Sequence, residues 1–96
     1  MSAPELAGRQ RIDKWLWHAR MVRTRSAAAA LVAAGHVRVN AVRVTAPGHL
    51  LRTGDVVTLA LDRAVRVIEV TGFCARRGDA AAARALYRDK AASAAG

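Results

Sequence analysis

The spacing of apolar residues switches from a helical to a strand period at Gly35 of this 96-residue chain, and that switch limits the fold more than any other feature. Before it, Ile12, Trp15, Leu16, Ala19 and Val22 recur at the three- and four-residue intervals of a helix with one buried face. Asp13, Lys14, Trp17, His18 and Arg20 fall on the opposite face. Thr24 can cap a second helix through its hydroxyl, and the segment RSAAAALVAA is rich in alanine, the best helix former. Gly35 then suits the left-handed position that ends a helix. Beyond it, Val37-Arg38-Val39 and Val42-Arg43-Val44 alternate apolar and basic residues, the signature of half-buried strands. Asn40-Ala41 makes the two-residue turn between them, with Ala in a conformation that costs it about 1 kcal/mol.

The rest of the chain continues the strand pattern. After Pro47-Gly48 and an irregular HLLRT, Gly54-Asp55 forms a turn. Val56 to Leu61 reads as a strand, Asp62-Arg63 as a tight turn and Ala64 to Val70 as the partner strand. Asp79 can cap a last helix with Ala83, Leu86 and Tyr87 on one side. The order predicts an α+β domain in which a two-helix hairpin packs on a small antiparallel sheet, with a C-terminal helix. Residues 1–10 are expected to form a flexible tail and residues 92–96 a frayed one. Residues 62–91 are expected to complete the same domain as residues 11–61.

Composition limits the size of what can be built. Of the hydrophobic residues, 23 are alanine, which leaves 28 larger apolar side chains, enough for one compact core. No apolar run nears the roughly 20 residues of a membrane-spanning helix, and residues 1–12 lack the apolar stretch of a signal peptide. Cys74 is the one cysteine, so no internal disulfide can form, and no Cys/His cluster has zinc spacing. A reduced, cytoplasmic, monomeric protein without membrane contact, metal or cofactor is the expectation.

Enzymatic chemistry finds no foothold. Asp13 is the single carboxylate among the basic residues of the first half, so no acid–base pair exists there. His18, His36 and His49 belong to three different elements, and the glycines punctuate turns without forming a phosphate-binding loop. Cys74 has two readings: a thiol activated by Arg76 and Arg77, or a buried inert one.

Charge points elsewhere. The net charge is +9, and 14 of the 16 basic residues are arginine. Between Arg9 and Arg52 nine basic residues face one acid, whereas from Thr53 onward seven face five. A field of this kind attracts polyanions, RNA foremost with DNA also possible, and arginine grips phosphate and stacks on bases. Arg9, Arg11 and Lys14 sit at the start of the first helix, Arg20 and Arg23 at its end. Arg25 lies on the first turn of the second helix, with the Thr24 and Ser26 hydroxyls nearby. Arg38 and Arg43 share a sheet face. Asp13 is expected to pair with a neighbouring arginine or cap backbone. Trp17 has two readings, a stacking surface for an unpaired base or a ring packed on the C-terminal helix against Tyr87. Trp15 falls on the core face. Asn40 either serves its turn or also offers its amide to RNA.

The segment RIDKWLWHARMVRTRSAAAALVAAGHVRVNAVRV resembles the RNA-binding domain named after ribosomal protein S4. The family pattern has an R-L-D opening, a T/S-R-S helix start, a G-x-V-x-V-N turn and a closing G-D-x-V. Here these are Arg11-Ile12-Asp13, Thr24-Arg25-Ser26, Gly35 to Asn40 and Gly54-Asp55-Val56-Val57, a likeness that covers residues 11 to about 61. DKWLW and ALYR are further similar to the ribosome-associated heat-shock protein fifteen subfamily. The resemblance implies an S4-like fold (the αL motif) whose hairpin and following strand bind structured rRNA or tRNA. It places Arg11, Lys14, Arg23, Thr24, Arg25, Arg38 and Asn40 on the RNA face. It also implies action on the free large ribosomal subunit that still holds a peptidyl-tRNA, in rescue of stalled subunits or elongation of the stranded chain. An RNA-binding regulator or assembly factor acting on mRNA or precursor rRNA is the alternative. The sequence departs from the family at Ala41, where the turn usually has glycine. Longer members end in a basic extension where this sequence has the neutral AASAAG, so a contact from that extension is expected either to be missing or to be replaced by Arg76, Arg77, Arg84 and Arg88.

Overall fold

A computed structural model describes residues 8–62 and 64–90. Strand β1 (Gln10–Arg11) leads directly into helix α1 (Ile12–His18), followed by α2 (Arg25–Ala33). Then come β2 (Val37–Val39), β3 (Val42–Arg43), β4 (Leu50–Leu51), β5 (Val56–Ala60) and β6 (Val65–Val70). A short helix α3 (Ala80–Arg84) and strand β7 (Tyr87–Asp89) complete the described chain. Five strands make an antiparallel sheet in the order β3-β2-β5-β6-β7, and β1 pairs with β4 in a two-stranded one.

The expected periods hold for α1, α2, β2 and β5, which share one core, whereas β3 is exposed at both of its residues, Val42 included. Ile12, Trp15 and Leu16 of α1 and Ala28 and Val32 of α2 are fully buried against Val37, Val57, Leu59, Ile68 and Val70 of the sheet. The alternate residues of β2 and β5 fall on the other side, so Arg38 and its cross-strand partner Arg43 are exposed away from the core. Thr24 caps α2 by accepting from the Ala27 amide at 3.0 Å. The Gly35 amide donates to the Val32 carbonyl and the His36 amide to that of Leu31, with Gly35 at φ +85°. That is a Schellman ending, as the glycine predicted. Asn40 and Ala41 both have positive φ, 52° and 72°, the geometry of a type I′ hairpin turn.

Helix α1 ends in the same way without a glycine. The Arg20 amide donates to the Trp17 carbonyl and the Met21 amide to that of Leu16, with Arg20 at φ 59°. A left-handed arginine costs about 1 kcal/mol, and its side chain donates Nε and Nη2 to the Gly78 carbonyl at 3.1 and 2.8 Å, contacts that help offset the cost.

Four expectations are corrected. Gln10 is no part of a tail: it is buried, pairs with Leu51, and donates its side-chain amide to the Cys74 carbonyl at 2.8 Å. Residues 1–7 and 91–96 lie outside the described residues. HLLRT is not wholly irregular, because Leu50 and Leu51 pair with β1 and Leu51 enters the core. The last helix spans Ala80–Arg84 only, capped by Asp79 at 2.9 Å, and Tyr87 belongs to β7, where it pairs with Val70. Residues 87–89 pair instead with Ile68, Glu69 and Val70 of β6, which satisfies backbone groups along that edge. Asp13 and His18 are buried, not solvent-facing. Leu61 and Ala64 exchange backbone hydrogen bonds at 2.8 and 3.4 Å between β5 and β6, and Arg63 of the expected turn lies outside the described residues.

Candidate nucleic-acid interface

Asp13 organises the basic end of the hairpin. Its buried carboxylate accepts Arg11 Nε at 3.1 Å, Arg11 Nη2 at 2.9 Å and the Lys14 amide at 2.7 Å. Arg25 Nε lies 3.8 Å from the same carboxylate. Both guanidiniums stay about half exposed while the carboxylate is 5% exposed, so one buried anion fixes two outward cations. The Arg11 guanidinium also lies beside Gly48, in ordinary contact distance of where a Cβ would stand. Strand β1, helix α1 and the start of α2 thereby meet at one point. Thr24 and Ser26 are exposed beside Arg25 on the first turn of α2, as are Arg9 and Arg23 at the two ends of α1.

The other end of α1 is built by a segment from the far end of the chain. Trp15 Nε1 donates to the Gly72 carbonyl at 3.0 Å and Arg77 Nε to the Trp17 carbonyl at 2.9 Å. Together with Arg20 and Gln10, these bonds fasten residues 72–78 along α1. The Arg77 guanidinium lies 5.5 Å from the centroid of the Trp17 ring, whose other neighbour is His18 at 5.4 Å. Trp17 is therefore half-buried by Arg77 and His18, and not by Tyr87, which instead carries Arg66 over its ring at 5.6 Å. His18 is 1% exposed, with Nδ1 3.4 Å from Cys74 Sγ and Nε2 without a hydrogen-bond partner among the described residues. Burial, and then the charges of Lys14, Arg25 and Arg77, hold its pKa below the ordinary value. Cations from α1, α2 and the 72–78 segment thus converge around one imidazole. Burial pushes the Cys74 thiol up, which favours the inert reading of that cysteine over an activated one.

Not every expected residue joins this surface. Arg38 and Arg43 lie on the outer face of the sheet, where with Gly35, His36, Thr58 and Val65 they border an open cleft of about 310 Å³. Arg43 reaches the C-terminal end of α2, its Cδ 3.5 Å from where a Gly35 Cβ would stand. The nine-residue α2, about 13 Å long, separates that end from Arg25. Asn40 is committed to the fold: its Oδ1 accepts from the Val56 amide at 3.0 Å and its Nδ2 donates to Asp55 at 3.1 Å. Arg77 and Gln10 are the contributors that periodicity did not reveal. The one signal for Arg77 was the twin arginine Arg76-Arg77 in the otherwise nearly neutral half of the chain. Among the described residues, no helix is long and apolar enough to cross a membrane.

A helix hairpin on an antiparallel sheet, with arginines held outward by one buried carboxylate, defines a small α+β domain with a basic face. The S4 domain family model matches residues 10–57. Heat shock protein 15 of Escherichia coli K12 is 32% identical over 83 residues, and its homologue in Aeromonas salmonicida 34% over 83. These alignments cover 86% of this chain, which spans 62% of the length of each relative. The trimeric structure of Vibrio cholerae heat shock protein 15 superposes with a TM-score of 0.82 at 34% identity, covering 91% of this chain and 87% of the other. The chain belongs to the S4 domain family and is a homologue of heat shock protein 15.

Proposed function

We propose that the protein docks on structured RNA of the large ribosomal subunit through the α1–α2 hairpin and acts, without catalysis, on stalled subunits that hold a peptidyl-tRNA. The observation that carries this reading is the Asp13 node, which presents Arg11 and Arg25 outward at fixed separation. Guanidiniums held in advance lose less conformational freedom on gripping phosphate than free ones. Arg9, Lys14, Arg20, Arg23, Thr24 and Ser26 extend the same surface, and Arg38 and Arg43 supply a separate contact at the far end of α2. Similarity to proteins named for heat shock supports a role under stress, and docking on ribosomes would make that role a cytoplasmic one.

One copy of the chain carries the whole cation set, so a monomer suffices for docking. The relative from Vibrio cholerae was solved as a trimer. Light scattering on the purified protein, alone and with RNA, distinguishes a monomer from such an assembly. The function is tested by sedimenting lysates through sucrose gradients with and without induced stalling. Enrichment on free large subunits that carry peptidyl-tRNA is expected. A protein that stays at the top of the gradient at low salt refutes the ribosomal assignment and favours a smaller RNA, such as an mRNA or precursor rRNA hairpin.

A further inference from the structure

We infer that Arg77 and Trp17 form a stacking platform for an unpaired RNA base, so that residues 74–78 make a second contact with a single-stranded nucleotide beside the stem gripped by the hairpin. The inference rests on the reading of the α1–α2 face as an RNA interface and adds what the second contact recognises. Three observations carry it. The Arg77 guanidinium already covers Trp17 at 5.5 Å, and its Nε is held by the Trp17 carbonyl, so the planar group is fixed in place. A guanidinium stacked on an aromatic ring keeps its second face for another π system, and bases stack on arginine as on aromatic side chains.

The segment is also rigid where it matters. Gln10, Arg20 and Arg77 tie it to β1 and α1 through hydrogen bonds of 2.8–3.1 Å, and Cys74 Sγ donates to the Arg76 carbonyl at 3.0 Å. A platform anchored this way needs little ordering on binding. Finally, the surroundings suit a nucleotide and not an apolar ligand. Arg76 is exposed next to Arg77, and Lys14 and Arg20 lie on the same helix as Trp17 or at its end. A paired base has both faces covered by its neighbours in the stack, so the ligand must be unpaired or terminal.

The test compares two RNAs, a blunt stem-loop and the same stem-loop with a short single-stranded overhang, by fluorescence anisotropy. The wild-type protein should bind the overhang RNA roughly 5- to 100-fold more tightly. Arg77→Lys keeps the charge but removes the flat group, and should bring that ratio close to one while blunt-stem binding persists. Arg25→Glu should weaken both RNAs and leave the ratio in place. A wild-type ratio of one overturns the platform, and needs no variant to do so if Arg77→Lys fails to fold. A ratio unchanged by a folded Arg77→Lys overturns it as well. Failure of the wild type to bind either RNA at low salt would sink the hairpin interface along with it. If both RNAs bind equally and Arg25→Glu still weakens them, the interface survives and the platform alone is refuted.

Discussion

Replacing Asp13 with asparagine separates two accounts of how the basic hairpin binds RNA. Asp13 is the single acid between Arg9 and Arg52, so Asp13→Asn raises the local charge from +8 to +9. If only the summed field mattered, the variant would bind a polyanion at least as tightly. The geometry predicts the reverse. The carboxylate accepts three hydrogen bonds, two from Arg11 and one from the Lys14 amide, and faces Arg25 at 3.8 Å. A charge-assisted bond contributes about 1.5–3 kcal/mol, and half-exposed arginines sit at the low end because water competes for them. Losing the charge while keeping some acceptor capacity should therefore cost about 2 kcal/mol, which lowers the melting temperature by roughly 8–16 °C in a domain of this size. Below that temperature, with Arg11 and Arg25 free to rotate, RNA affinity should fall several-fold. Circular dichroism melts and anisotropy titrations across a salt series measure both. A variant with unchanged melting that binds more tightly at every salt concentration would refute the organising role of Asp13.

Arg25→Glu should weaken RNA binding far more than Arg88→Glu, because Arg88 lies across the sheet with Glu69 3.7 Å away; equal losses in a titration would move the interface. Arg25→Ala should also lower the slope of log affinity against log salt by about one. Arg20→Ala keeps the left-handed strain and loses both bonds to Gly78, whereas Arg20→Gly loses the bonds but also the strain, so the alanine variant should melt roughly 4–8 °C below the glycine one. Ala41→Gly should stabilise the protein by about 0.5–1 kcal/mol, since φ 72° suits glycine; a lower melting temperature would show that the turn is not type I′ in solution. His18 resists protonation in the folded state, so its contribution to stability is present above the ordinary pKa of 6.5 and is lost as the pH falls toward the lowered folded value. Denaturant midpoints at neutral and mildly acidic pH should show that loss, and His18→Gln should flatten it.

Elements whose cause is local were legible in the residues alone. Helix α2 follows from its alanines, the Thr24 cap and Gly35, and the β2–β3 hairpin from alternating valine and arginine around Asn40. The outward position of Arg38 and Arg43 follows from the two-residue period alone. The S4-type motifs run in order through that same stretch, which is why the family and the arginines of the hairpin were legible. Tertiary structure decided whatever depends on a distant partner. Periodicity put Asp13 and His18 on the polar face of α1, but Arg11 and Arg25 close over the carboxylate, and the segment around Cys74 covers the imidazole. Leu50-Leu51 became a strand only because Gln10-Arg11 came to lie beside it, and Tyr87 became one because β6 had an open edge. Trp17 met Arg77 across 60 residues of chain. Local propensity sees a few neighbouring residues at a time, whereas a buried charge, a sheet edge and a covered ring are each settled by whichever group the whole fold brings to them.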